Sequence, residues 1–165
     1  LIDDPACIEA AEEIADNLLS LEKFEEAEKA ASYSLRLDPK SYIGHFVVGF
    51  VASEQEEWKT AEQHFRVSNF EQPNNPEIIR CLGWTIFHAG RQEEGISTIL
   101  RALSLRKDDP AILCDLAACY LQMNKFDESI ELLEKAMDVD SADDRVSELF
   151  HVANRLKKAF ASEIS

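Results

Sequence analysis

Apolar residues recur along this chain at intervals of three and four, in stretches separated by polar turns. Leu113, Leu116, Ala117 and Tyr120 make one such stripe, and Ile130, Leu133, Ala136 and Met137 make the next. That is the period of a helix with one buried face. The alternation of a half-buried strand is absent, so the pattern predicts an all-α protein. The stripes come in pairs, and the pairs repeat. With Ile8, Tyr42, Pro76 and Pro110 as position 1, four units of 34 residues align without a gap. Position 8 holds Ala15, Gly49, Gly83 and Ala117, and position 20 holds Ala27, Ala61, Gly95 and Ser129. A fixed period of this length marks a solenoid of helical hairpins. We read residues 1–165 as one domain, with repeats over about 8–41, 42–75, 76–109 and 110–143.

Helix signals fall at matching places in the units. Asn75 before Pro76 and Asp109 before Pro110 predict capped helix starts, because proline at the first helical position loses no hydrogen bond. Ser41 is the expected cap in the second unit, and Asp4 with Pro5 makes the start in the first. Gly90 and Asn124 should end the first helices of the third and fourth units. Second helices are expected over about 92–106 and 126–138, while Pro39 and Pro73 mark exits. After the fourth unit, Ser141 and Asp144 form a capping box for a C-terminal capping helix over about 142–161. Its apolar stripe is Val146, Leu149, Val152, Ala153, Leu156 and Phe160.

Composition narrows the function classes. A net charge of -15 repels phosphates and anionic lipid, so neither nucleic acid nor a membrane is an expected partner. No apolar run approaches the length of a membrane span, and no signal peptide is read. The chain opens on Leu1 rather than Met, and whether it is a piece of a longer protein is left open. Cys7, Cys81, Cys114 and Cys119 include no C-x-x-C pair, and free thiols suit the cytoplasm. No phosphate loop, nucleophile elbow or metalloprotease motif occurs. His45, His64, His88 and His151 stand singly, so no catalytic residue, metal site or cofactor is expected.

The repeat positions resemble the tetratricopeptide repeat. The fourth unit carries Leu113, Leu116, Ala117, Tyr120, Ser129, Leu133 and Ala136 at the family's pattern positions. The third carries Ile79, Leu82, Gly83, Ile86, Gly95, Ile99 and Ala102. The second matches at Val48, Gly49, Ala61, Phe65 and Pro73, and the first at Ile14, Ala15, Ala27 and Pro39. The likeness covers residues 8–143. There are departures: Glu56 stands where a turn glycine is usual, and His45 and Ala52 replace larger apolar residues. The resemblance implies a right-handed superhelix whose first helices line a concave groove.

On that implied geometry, the groove holds Ile43, Phe46, Val47, Phe50, Arg80, Trp84, Phe87, His88 and Leu121, with Glu9, Glu12, Glu13 and Asp16 at an acidic entrance. An exposed aromatic patch is an efficient anchor for a protein partner. The entrance cannot serve as the cationic clamp with which some family members grip acidic chaperone tails, because like charges would meet. The expected function is a non-catalytic adaptor that binds a peptide or helix with apolar anchors and basic residues. Two alternatives stand beside it. One is a dedicated chaperone for a secreted client, similar in size and charge to those of type III secretion. The other is a self-assembling structural part, and the oligomeric state is left open.

Overall fold

The computed structural model describes residues 5–139 and 143–164. Among them are nine α-helices: α1 (Pro5–Ser20), α2 (Phe24–Leu37), α3 (Tyr42–Glu54), α4 (Trp58–Glu71), α5 (Pro76–His88), α6 (Gln92–Leu105), α7 (Pro110–Gln122), α8 (Phe126–Val139) and α9 (Asp144–Ile164). From α4 onward each helix starts 34 residues after its counterpart in the preceding unit. The described residues contain no strand.

The phase is kept by two devices. The first is the cap. Ser41 Oγ accepts the amide of Gly44 at 2.8 Å. Asn75 Oδ1 accepts the amides of Glu77 and Ile78, and Asp109 Oδ1 those of Ala111 and Ile112. Loss of one such cap costs about 1 kcal/mol. The second is the turn inside each hairpin. The amides of Lys23, Glu57, Arg91 and Lys125 reach back to the carbonyls of Leu18, Ala52, Ile86 and Tyr120. These are 6→1 bonds that close a helix end. They require a left-handed residue just before the donor, and Glu22, Glu56, Gly90 and Asn124 all have positive φ.

Packing follows from the small residues. A Cβ on Gly83 would lie 2.7 Å from Ile99 Cγ1 and 2.9 Å from the Gly95 carbonyl, so α5 and α6 cross almost backbone to backbone. Gly95 likewise lies against the backbone of Phe87. Phe65, Ile99 and Leu133, one per unit, are fully buried beside these crossings. Each such side chain contributes about 1.5–3 kcal/mol by leaving water. Leu82 packs on Phe65 and Ala61 of the preceding unit, and Leu116 on Ile99 and Ala102. The core is therefore a chain of overlapping clusters, each shared by two units.

Both ends depart from expectation. Ile14, at the position of Leu82 and Leu116, is 53% exposed, because no described helix precedes α1 to cover it. Asp4, before α1, and Ser141, at the other end, lie outside the described residues. The cap of α9 is Asp143, whose Oδ1 accepts the amide of Arg145 at 2.9 Å. Asp143 lies 34 residues after Asp109, so α9 is the first helix of a fifth unit in the same register. It runs to Ile164, without the turn that ends α3, α5 and α7. Val146 and Ala153 are buried against Leu113, Ala117, Leu133 and Ala136. Val152, Leu156 and Phe160 of the expected apolar stripe are exposed, because no described helix follows α9 to cover them.

Candidate functional site

The odd-numbered helices touch one another in succession, α1 to α3, α3 to α5, α5 to α7 and α7 to α9, while no two even-numbered helices meet. The odd helices thus form one inner wall and the even helices splay on the outside. This is the curvature of a superhelix, and it sets which side chains share the concave surface.

Ile43, Phe46, Phe50, Trp84, His88 and Leu121 are partly exposed. Phe46 and Phe50 lie 6.2 Å apart between ring centroids, and Phe46 rests on the buried Phe65 at 5.8 Å. Phe50 also meets Phe24. Trp84 packs on His88 at 4.3 Å, and His88 stacks on Trp58 at 5.0 Å. That stack joins the inner wall to the start of α4, and sequence spacing alone gave no sign of it. Leu121 leans on the cluster shared by α7, α8 and α9.

Two expected groove residues are core residues. Val47 is fully buried with Ala15, Ala27 and Ala31, whose small side chains leave room that it fills. Phe87 is 3% exposed, because Gly95 lets it sink into the cluster of Ile79, Ile99 and Leu116. Neither side chain is open to a partner. At the entrance, Glu9, Glu13 and Asp16 are exposed. Glu12 is half-buried and accepts the hydroxyl of Ser41, so it braces a helix cap.

Charge inside the wall is concentrated at Arg80. Its guanidinium donates to Glu77 on its own helix and to Asp115 on α7. Burial works against its charge, yet Cys81, Glu77 and Asp115 hold its pKa above the ordinary value. Burial also pushes the carboxyl of Asp115 up, against the pull of Arg80. A pocket of about 270 Å³ opens here, lined by Phe50, Ser53, Glu54, Phe65, Arg80, Cys81, Trp84, Asp115 and Arg145. Arg145 comes from α9, so the fifth helix belongs to the same surface. A second hollow of about 220 Å³ lies toward α1, between Asp16, Tyr42, Ile43, Phe46, Asn75, Glu77 and Ile78. Glu54 and Asp115 occupy groove positions of their repeats, and that phase was the signal by which the sequence could have grouped them with Arg80.

The chemistry of the wall is that of contact. Burial pushes the thiols of Cys81 and Cys119 up to about 12, which keeps them protonated and poor nucleophiles. Among the described residues no three His, Cys, Asp or Glu side chains converge as metal ligands. No described helix is long and apolar enough to cross a membrane.

Residues 87–149 match the family model described as tetratricopeptide repeat. Curated proteins give no sequence match. Among solved structures, pilF of Pseudomonas aeruginosa aligns with 94% of this chain and 71% of its own, at TM-score 0.77 and 20% identity. A thermophilic tetratricopeptide protein of Thermus thermophilus aligns at TM-score 0.77 and 19% identity, covering 88% of this chain and 80% of its own. YrrB, described as a tetratricopeptide protein with an unusual peptide-binding site, aligns at TM-score 0.62 and 19% identity over 87% of this chain and 74% of its own. At such identities the likeness establishes the fold. The family's model thus matches residues 87–149, and the described helices share the fold of solved tetratricopeptide-repeat structures.

Proposed function

We propose that this chain is a non-catalytic, cytoplasmic protein-binding module that holds a peptide or helix of a partner along its inner wall. One observation carries the reading: Phe46, Phe50 and Trp84 stay partly open on a continuous wall of five helices, although a core for such residues lies beside them. An open aromatic surface of this kind is costly in water and gains by being covered. The fold supports protein binding in general, and the site named here is our own assignment. Ile43 and Leu121 extend the apolar strip, while Glu9, Glu13 and Asp16 border one end and favour a partner with basic residues. The buried thiols agree with a reducing compartment.

The test is capture of partners from native lysate with the wild-type chain and with the double variant Phe50→Ala, Trp84→Ala. Both side chains lie at the rim of the core, so the variant should keep most of its helical content in circular dichroism. Loss of specific partners at unchanged fold is the expected result. Equal capture by the variant would refute the assignment.

A further inference from the structure

The pocket between Phe50 and Trp84 has an electrostatic preference that the apolar wall alone does not express. Two cations line it, and both are engaged. Arg80 spends Nε and Nη2 on Glu77 and Nη1 on Asp115. Arg145 spends Nε and Nη2 on Asp143, at 3.2 and 2.9 Å. The acceptors are not used up. The carboxylate of Glu54 is exposed and makes no hydrogen bond or ion pair among the described residues. Asp115 holds Arg80 through Oδ2 and leaves Oδ1 without a donor there. Glu54 and Asp115 line the hollow beside Arg80 and Arg145. Glu77 and Asp143, outside its lining, pair with the two guanidiniums, so the cluster as a whole sets four carboxylates against two cations. Phe50 and Trp84 add two aromatic walls, which attract a cation to their faces. The volume of about 270 Å³ suits one long side chain and is too small for a secondary-structure element.

We propose that this pocket takes a single basic side chain of the partner, arginine above lysine, with its stem between Phe50 and Trp84 and its cationic head on Glu54 and Asp115. The assignment rests on the groove reading above and makes it specific. Arginine is favoured because its planar head can stack on a ring and donate to two carboxylates at once. An acidic or phosphorylated side chain is excluded by the same surplus of carboxylates, in a chain of net charge -15.

N-acetyl-arginine amide is the probe, titrated into ¹⁵N-labelled protein while the Trp84 indole N–H resonance is followed. That resonance is assigned by its loss in Trp84→Phe. A saturable shift is expected. The neutral isostere N-acetyl-citrulline amide should bind at least about tenfold more weakly, as should arginine amide to Glu54→Gln. Glu54 is exposed, so this variant keeps its fold. Absence of a saturable shift, equal binding of citrulline, or indifference to Glu54→Gln would each overturn the proposal. The two readings fail separately. Capture of partners that needs Phe50 and Trp84 but not Glu54 leaves the groove standing and removes the cation pocket. Glu54-dependent binding of arginine with capture unchanged in the Phe50, Trp84 variant does the reverse.

Discussion

Each hairpin turns on one residue. Glu22, Glu56, Gly90 and Asn124 have φ of 56, 59, 91 and 59°, so three side chains other than glycine sit where a Cβ is unfavourable. The left-handed region costs an ordinary residue about 1–2 kcal/mol, and the unfolded-state freedom of glycine returns part of that. Gly90→Ala should therefore destabilise the protein by about 1 kcal/mol, with no packing loss, since a Cβ there meets nothing within 4 Å. Glu56→Gly should shift stability the other way by a similar amount. Urea melts of the two variants check both signs, and a stabilising Gly90→Ala would contradict the account. The sequence singled out Glu56 as a departure from the usual glycine. It could not show that the backbone adopts the same turn regardless, because the 6→1 bonds that enforce it belong to the hairpin as a whole.

At the scale of the helix pair, α3 and α4 are joined by two imidazoles that sequence reading treated as solitary. His45 Nδ1 and His64 Nδ1 lie 2.9 Å apart, and His45 Nε2 meets the carbonyl of Pro39 at 3.1 Å. One nitrogen of the pair must donate and the other accept, so both rings cannot be protonated in this geometry. Burial, and then the charge of His45, hold the pKa of His64 below its ordinary 6.5. Burial does the same to His88 between its two tryptophans. A group with a depressed folded pKa binds fewer protons folded than unfolded. Its stabilisation is complete above about pH 6.5 and is lost as pH falls through the folded value. Asp115 has the opposite sign, because burial raises its carboxyl. The melting temperature should fall between about pH 7 and about pH 5, and His64→Gln should shrink that fall. Equal pH profiles for wild type and His64→Gln would remove the pair as its source. Nineteen residues of sequence separate the two histidines, so only the hairpin's packing brings them together.

Across the whole molecule, stability passes between neighbouring units, since each cluster is shared by two of them. The fifth helix of the inner wall joins the series by burying Val146 and Ala153 on α7 and α8. Val146→Asp would place an unpaired charge there and should cost about 3 kcal/mol. In a solenoid the damage should stay local. Hydrogen exchange should quicken in α7 to α9 and stay slow in α1 to α4. A uniform loss of protection would show instead that the array unfolds as one unit.

The sequence by itself determined the period, the helix pairs, the caps at Ser41, Asn75 and Asp109, and the small residues at the crossings. Each of these depends on neighbours within about one turn or one hairpin, and a local pattern can specify them. The resemblance to the repeat family, rather than a local pattern, implied that Phe46, Phe50 and Trp84 face the inner wall. Tertiary structure decided how deep each groove side chain sits. Val47 and Phe87 share the phase of open positions and are buried, because Ala27, Ala31 and Gly95 on the adjoining helices leave space for them. It also decided that Arg80 and Arg145 are already paired while Glu54 has no partner among the described residues, a balance set by side chains from α3, α5, α7 and α9. Depth and pairing are properties of the space between helices, and the register along one helix carries no record of them.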